Sequence, residues 1–194
     1  MQFAVALIEY LISGIIASVW VAAIIMNYIK LPLDSIKDYK EIFVIVYFPI
    51  AYILGIYVDT TSSFLIRRFK ELGYMVGSFK PCSRVITFLL PAYEFFVGKA
   101  KTDSYERSAE VLARSIPDAV RTMEAYVSRD RIARGAALNA FAGAITAFAY
   151  APPEIMVPVS TGCLLMLAYS LLMYKRLRRL SSRFKKVVIS KIKQ

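Results

Sequence analysis

The chain of 194 residues has no histidine and only two cysteines, and four long stretches of it carry no charge. Each absence removes a class of function. Without imidazole there is no Ser-His-Asp triad, no histidine-ligated zinc and no histidine proton relay. Cys82 and Cys163 alone make neither a disulfide framework nor a metal cage. No P-loop and no glycine-rich phosphate turn occurs. The carboxylate pairs Glu106/Glu110 and Asp34/Asp38 stand at helical spacing on polar faces. Arg107, Arg114, Arg121 and Arg129 alternate with acids, the pattern of a solvated or inter-helix face. The expectation is a protein that is not an enzyme, with no catalytic residue, no metal site and no cofactor.

What is present is apolar: 58% of residues are hydrophobic, beside a net charge of +11. The uncharged runs are Tyr10 to Ile29, Ile42 to Val58, Gly135 to Pro153 and Ile155 to Tyr174, of 20, 17, 19 and 20 residues. A bilayer core of about 30 Å takes about 20 helical residues, with about 17 near the lower limit. The pattern therefore predicts an all-α protein with four transmembrane helices. The first run lacks a basic leader and is about twice the length of a signal-peptide core, so it is expected to persist in the mature chain.

Basic flanks set the orientation, because lysine and arginine resist translocation. Arg67, Arg68 and Lys70 follow the second span, Arg129, Arg131 and Arg134 precede the third, and Lys175, Arg176, Arg178 and Arg179 follow the fourth. All three groups are expected in the cytoplasm, together with both termini. Residues 30–41, with mixed charge, and the turn at 152–154 then lie outside. The predicted organisation is a first hairpin at 1–58, a cytoplasmic helical insert at 59–134, a second hairpin at 135–174 and a basic tail at 175–194. That tail holds nine cations and no acid, which suits anionic lipid on the inner leaflet. Nucleic-acid binding by the tail is the alternative, weakened because Phe184 is its only aromatic.

Within the insert, Val111, Leu112, Ile116, Val120, Met123 and Val127 recur at spacings of three and four, one face of a helix. Asp103 and Glu106 resemble a capping box, and Pro117 suits the first turn of a new helix or a kink, in a segment that can run on into the third span. Residues 85–98 form an apolar run too short to span, expected as an interfacial or core helix.

The third span is unusually rich in small residues. Ala136, Ala140 and Ala144, with Gly143 and Ala147, stand four apart and allow close helix contact, within one bundle or at a subunit interface. Asn139 and Thr146 on this span, with Ser13 and Ser18 on the first, are candidates to line a pore. Asp59 is followed by four hydroxyl residues. One reading has Asp59 or Thr61 cap a new helix that starts at Phe64. The other pairs Asp59 with Arg131 or Arg134 and holds a closed state, since carboxylates at membrane depth are rarely left unpaired.

The runs YILGIYVDTTSS at 52–63 and AYVSRDRIARGAALNAF at 125–141 resemble small bacterial multipass membrane effectors of anti-phage defence systems, built from two transmembrane hairpins around a cytoplasmic insert. The resemblance implies a homo-oligomeric channel or permeabilising effector in the bacterial inner membrane. It implies gating or release by a cytoplasmic regulatory protein or an anionic ligand, nucleotide or nucleic acid. The alternative is a non-conducting anchor or scaffold whose insert recruits a soluble partner. A transporter fits less well, because no ionisable residue stands in mid-span.

Overall fold

A computed structural model describes residues 2–29, 40–78 and 117–192 of the chain. Four helices make up almost all of these residues: α1 (Gln2–Tyr28), α2 (Lys40–Ser78), α3 (Pro117–Tyr150) and α4 (Pro153–Ile192). Each contains a segment long and apolar enough to cross a membrane: Ala6–Tyr28, Glu41–Arg68, Val120–Tyr150 and Pro153–Ser190. Among the described residues the chain is thus all-helical, and its four apolar spans make it a multipass membrane protein. The expectations for residues 85–98, for the helical face at Val111, Leu112 and Ile116 and for the Asp103/Glu106 cap lie outside the described residues.

The helices form where the sequence favours them. Pro153 opens a helix, where the missing N–H costs nothing because first-turn donors have no intrahelical acceptor. The Pro152 carbonyl accepts from the amides of Ile155 and Met156 at 3.0 and 2.9 Å, which seats the first turn of α4. Glu154 in that turn complements the helix dipole. Pro49 and Pro158 lie inside α2 and α4, where each removes one backbone donor from the helical ladder.

One expectation is corrected. No helix begins at Phe64, because α2 runs unbroken from Lys40 to Ser78 through the hydroxyl-rich stretch. The hydroxyls turn back onto their own helix: Thr60 donates to the Ile56 carbonyl at 2.9 Å and Ser62 to that of Asp59 at 2.9 Å. Serine and threonine satisfied in this way no longer compete for a helix start.

The chain divides into two compact units, residues 1–62 with 134–170 and residues 63–133 with 171–194. Of the four spans, α3 is the most enclosed and α4 the least. Ala137, Ala140, Ala144 and Ala147 are buried, and Phe141, Ile145 and Phe148 form a narrow exposed stripe at spacings of four and three. On α2 and α4 the broad exposed faces are apolar, Ile42 to Val46 and Leu164 to Met166 among them, as lipid-facing surfaces must be. In the second unit, Ala133, Tyr174 and Leu177 form a buried cluster with Ile66 and Met173 packed against it. Tyr126 and Phe184 add a ring contact at 5.9 Å.

Candidate functional site

Close packing in the first unit begins where α1 crosses α2. A Cβ on Gly14 would fall 1.6 Å from the Ala51 carbonyl oxygen, and one on Gly55 would fall 1.8 Å from that of Tyr10. Backbone meets backbone at both points, so no side chain can move aside. Glycine is required at each, as in membrane helices that associate through small residues. Ala17 and Ala51 are fully buried, and the rings of Tyr10 and Tyr52 meet edge-on at 5.9 Å.

This contact presents the polar side of α1 to its neighbours. Asn139 of α3 is almost fully buried and makes interhelical hydrogen bonds to α1. Its Nδ2 donates to the Ser13 carbonyl at 2.9 Å, with the Ser13 Oγ a longer contact at 3.4 Å. Its Oδ1 accepts from the Trp20 indole N–H at 3.2 Å. Because indole nitrogen only donates, the amide orientation is fixed by chemistry: the flipped form would set two donors against each other. Ser13 and Trp20 stand seven residues apart, two turns along one face of α1. Further along, Ser18 donates to its own Ile15 carbonyl at 2.7 Å. Its hydroxyl therefore accepts at 2.6 Å from the phenol of Tyr47 on α2. Gly135 sits against Ser13, its added Cβ 2.9 Å from that hydroxyl.

Polar pairs mark the two ends of this seam. Arg134 Nη2 donates to Asp59 Oδ1 at 3.1 Å, joining α3 to α2 with both side chains about four-fifths buried. At the other end the phenols of Tyr28 and Tyr150 meet at 3.1 Å, with their rings edge-on. Arg134 and Tyr150 are 16 residues apart, about 24 Å along α3 and close to a hydrocarbon thickness. Tyrosines at one boundary and a charged pair at the other match the two interfaces of a bilayer.

The sequence candidates fall into place unevenly. Ser13, Ser18 and Asn139 belong to the seam, and Thr146 is buried two turns beyond Asn139. Ala140, Ala144 and Ala147 are buried, with Ala136 and Gly143 half-buried, inside this chain's own packing. A Cβ on Gly143 would stand 3.3 Å from the Cys163 Sγ. Arg131 lies in the second unit and is half-buried there. Sequence reading passed over Trp20, Tyr47 and Gly55. Each left a signal: an indole N–H and a phenol inside apolar runs require partners, and Ala51 and Gly55 repeat the four-residue spacing noticed on α3.

In the second unit, Arg121, Thr122, Ala125, Tyr126 and Arg129 line an open groove of about 310 Å³ on α3. Arg178 donates to the Tyr174 hydroxyl and lies over that ring, and Arg68 lies 5.4 Å from the Phe64 ring centroid. Among the described residues, no group of three or more metal-ligating side chains comes together. No family model matches the chain, and no curated protein or solved structure is significantly similar to it.

Proposed function

We propose that this protein is a channel-forming effector of the bacterial inner membrane, resting closed and opened by a cytoplasmic partner or anionic ligand to dissipate ion gradients. The observation that carries the reading is Asn139, buried at membrane depth and bonded across to Ser13 and Trp20. Interhelical hydrogen bonds of this kind also hold structural bundles together; the channel reading takes the same polar atoms as the lining of the opened path. In the closed state the seam's polar atoms bond to one another. Parting α1 from α3 turns the Asn139 amide, the Ser13 hydroxyl and the Trp20 N–H toward a shared opening that water can enter. The Asp59–Arg134 pair latches the cytoplasmic end. Assembly as a homo-oligomer, both termini in the cytoplasm and a role in anti-phage defence belong to the same proposal.

The test is ion flux through liposomes holding the purified chain. Asn139→Leu should abolish flux while leaving insertion intact, and Asp59→Asn should raise basal flux by releasing the latch. Absence of flux in wild type, in Asp59→Asn and after addition of native cytosol would remove the channel reading. A second reading, the non-conducting scaffold, is favoured by one observation: the small residues of α3 are consumed inside the chain and so leave less for a subunit interface. Scaffold activity should survive Asn139→Leu and fail when Val120, Met123 and Val127 are made polar. Orientation is checked separately, since a cysteine at position 107 should resist labelling from outside intact cells.

A further inference from the structure

The tail of α4 is two-sided, and its cations are not equivalent. From Lys175 to Ile192 the helix contains no acid. Tyr174, Leu177 and Lys185 are buried and Phe184 packs on Tyr126, so these positions define the inward face. Arg178 is engaged with Tyr174. Arg176, Arg179, Arg183 and Lys186 recur at spacings of three, four and three, a straight stripe on the opposite side, and all four are exposed. None of the four has a hydrogen-bond, ion-pair or ring partner among the described residues. Leu180 and Val187, seven apart, are exposed beside them.

We propose that this stripe is a binding surface for the headgroups of anionic phospholipids. Four like charges on one helix face, without a partner among the described residues, repel one another and favour an anionic counterpart. Two features select lipid over nucleic acid. Leu180 and Val187 offer apolar contact where a polyanion has none to give. The single aromatic of the tail, Phe184, is turned inward and so cannot stack on a base. Register supports the same partner. The uncharged run ends at Tyr174, which places Arg176 and Arg179 about 3 and 8 Å further along the helix, within a headgroup layer. Arg183 and Lys186 stand about 14 and 18 Å along and act at longer range, subject to a Debye length of about 8 Å. This surface is independent of conduction by the spans.

The experiment uses the full chain in mild detergent, equilibrated with equal amounts of phosphatidylcholine and phosphatidylglycerol, with the retained lipid quantified by mass spectrometry. Wild type should retain phosphatidylglycerol preferentially. Each headgroup-level cation contributes about fivefold, so R176Q/R179Q/R183Q/K186Q should lower the preference by about twenty-five-fold at low salt. R176K/R179K/R183K/K186R should keep it, and so should R67Q/R121Q/R129Q, which removes three exposed cations elsewhere in the same unit. Retention of the wild-type lipid ratio by the glutamine variant overturns the proposal. So does an equal loss in R67Q/R121Q/R129Q, which would reduce the effect to net charge. A labelled single-stranded oligonucleotide that binds through the stripe, with the lipid ratio unmoved, would assign the surface to nucleic acid instead.

Discussion

Alanine at Gly14 tests the α1–α2 crossing most directly. Its methyl would be placed 1.6 Å from the Ala51 carbonyl oxygen, less than half of an ordinary contact distance. Both sides are backbone of long helices, so relief requires the helices to part by more than an ångström. Parting strips dispersion contacts along the crossing and pulls on the Ser13 and Ser18 bonds on the same helix. Overpacking costs about 1–3 kcal/mol where side chains can yield. With backbone on both sides the upper figure applies, about 3 kcal/mol or roughly 150-fold in the folding equilibrium. Gly55→Ala should match it, since its methyl meets the Tyr10 carbonyl at 1.8 Å. Gly162→Ala is the internal control. Nothing lies within 4 Å of the added methyl, and alanine is the better helix former by about 0.5–1 kcal/mol. The assay is reversible unfolding in mixed micelles of rising dodecyl sulfate content, followed by the emission of Trp20, the one tryptophan in the chain. Wild-type stability of Gly14→Ala, or equal damage from Gly162→Ala, would refute the close crossing.

The other predictions address the seam. Asn139→Leu removes two interhelical hydrogen bonds and should cost about 1–2 kcal/mol, while shifting Trp20 emission to the blue as the indole N–H loses its acceptor. Tyr47→Phe removes the donor to Ser18 alone and should cost about 0.6 kcal/mol in the same unfolding assay. Asp59→Asn weakens a pair that is about a fifth exposed, so its cost should fall between the exposed and buried limits, at about 2 kcal/mol. Arg134→Lys should recover only part of the Asp59 interaction, because an ammonium lacks the planar fork that guanidinium offers a carboxylate.

The spans were legible because charge is expensive in hydrocarbon. Four uncharged runs bounded by Lys, Arg, Asp and Glu leave little freedom, and each falls on one of α1 to α4, the first overrunning α1 by one residue and the third overrunning α3 by three. Asp59 to Ser63 misled for a local reason: the same hydroxyls that cap a helix start can bond back to a preceding carbonyl, and sequence does not say which carbonyl is in reach. Asn139 stood out by its type. Its partners did not, because Ser13 and Trp20 are 126 and 119 residues away in sequence. The backbone opposite Gly14 depends on a crossing that only three dimensions define.

The Trp20–Asn139 bond also bears on how the protein is made. Of the four spans α3 is the least hydrophobic, and it carries Asn139 five residues past Arg134. Such a segment partitions into lipid more readily when an acceptor and a donor already wait there. Those groups belong to α1, which leaves the ribosome 119 residues earlier, about 6–24 s ahead at ordinary rates of synthesis. The first span therefore serves as a template, held in the membrane with its polar side unmatched until the third arrives. Biogenesis is then ordered by a side-chain contact. Damage to Ser13 or Trp20 would first register as α3 failing to enter the bilayer, before any folded protein exists to be destabilised.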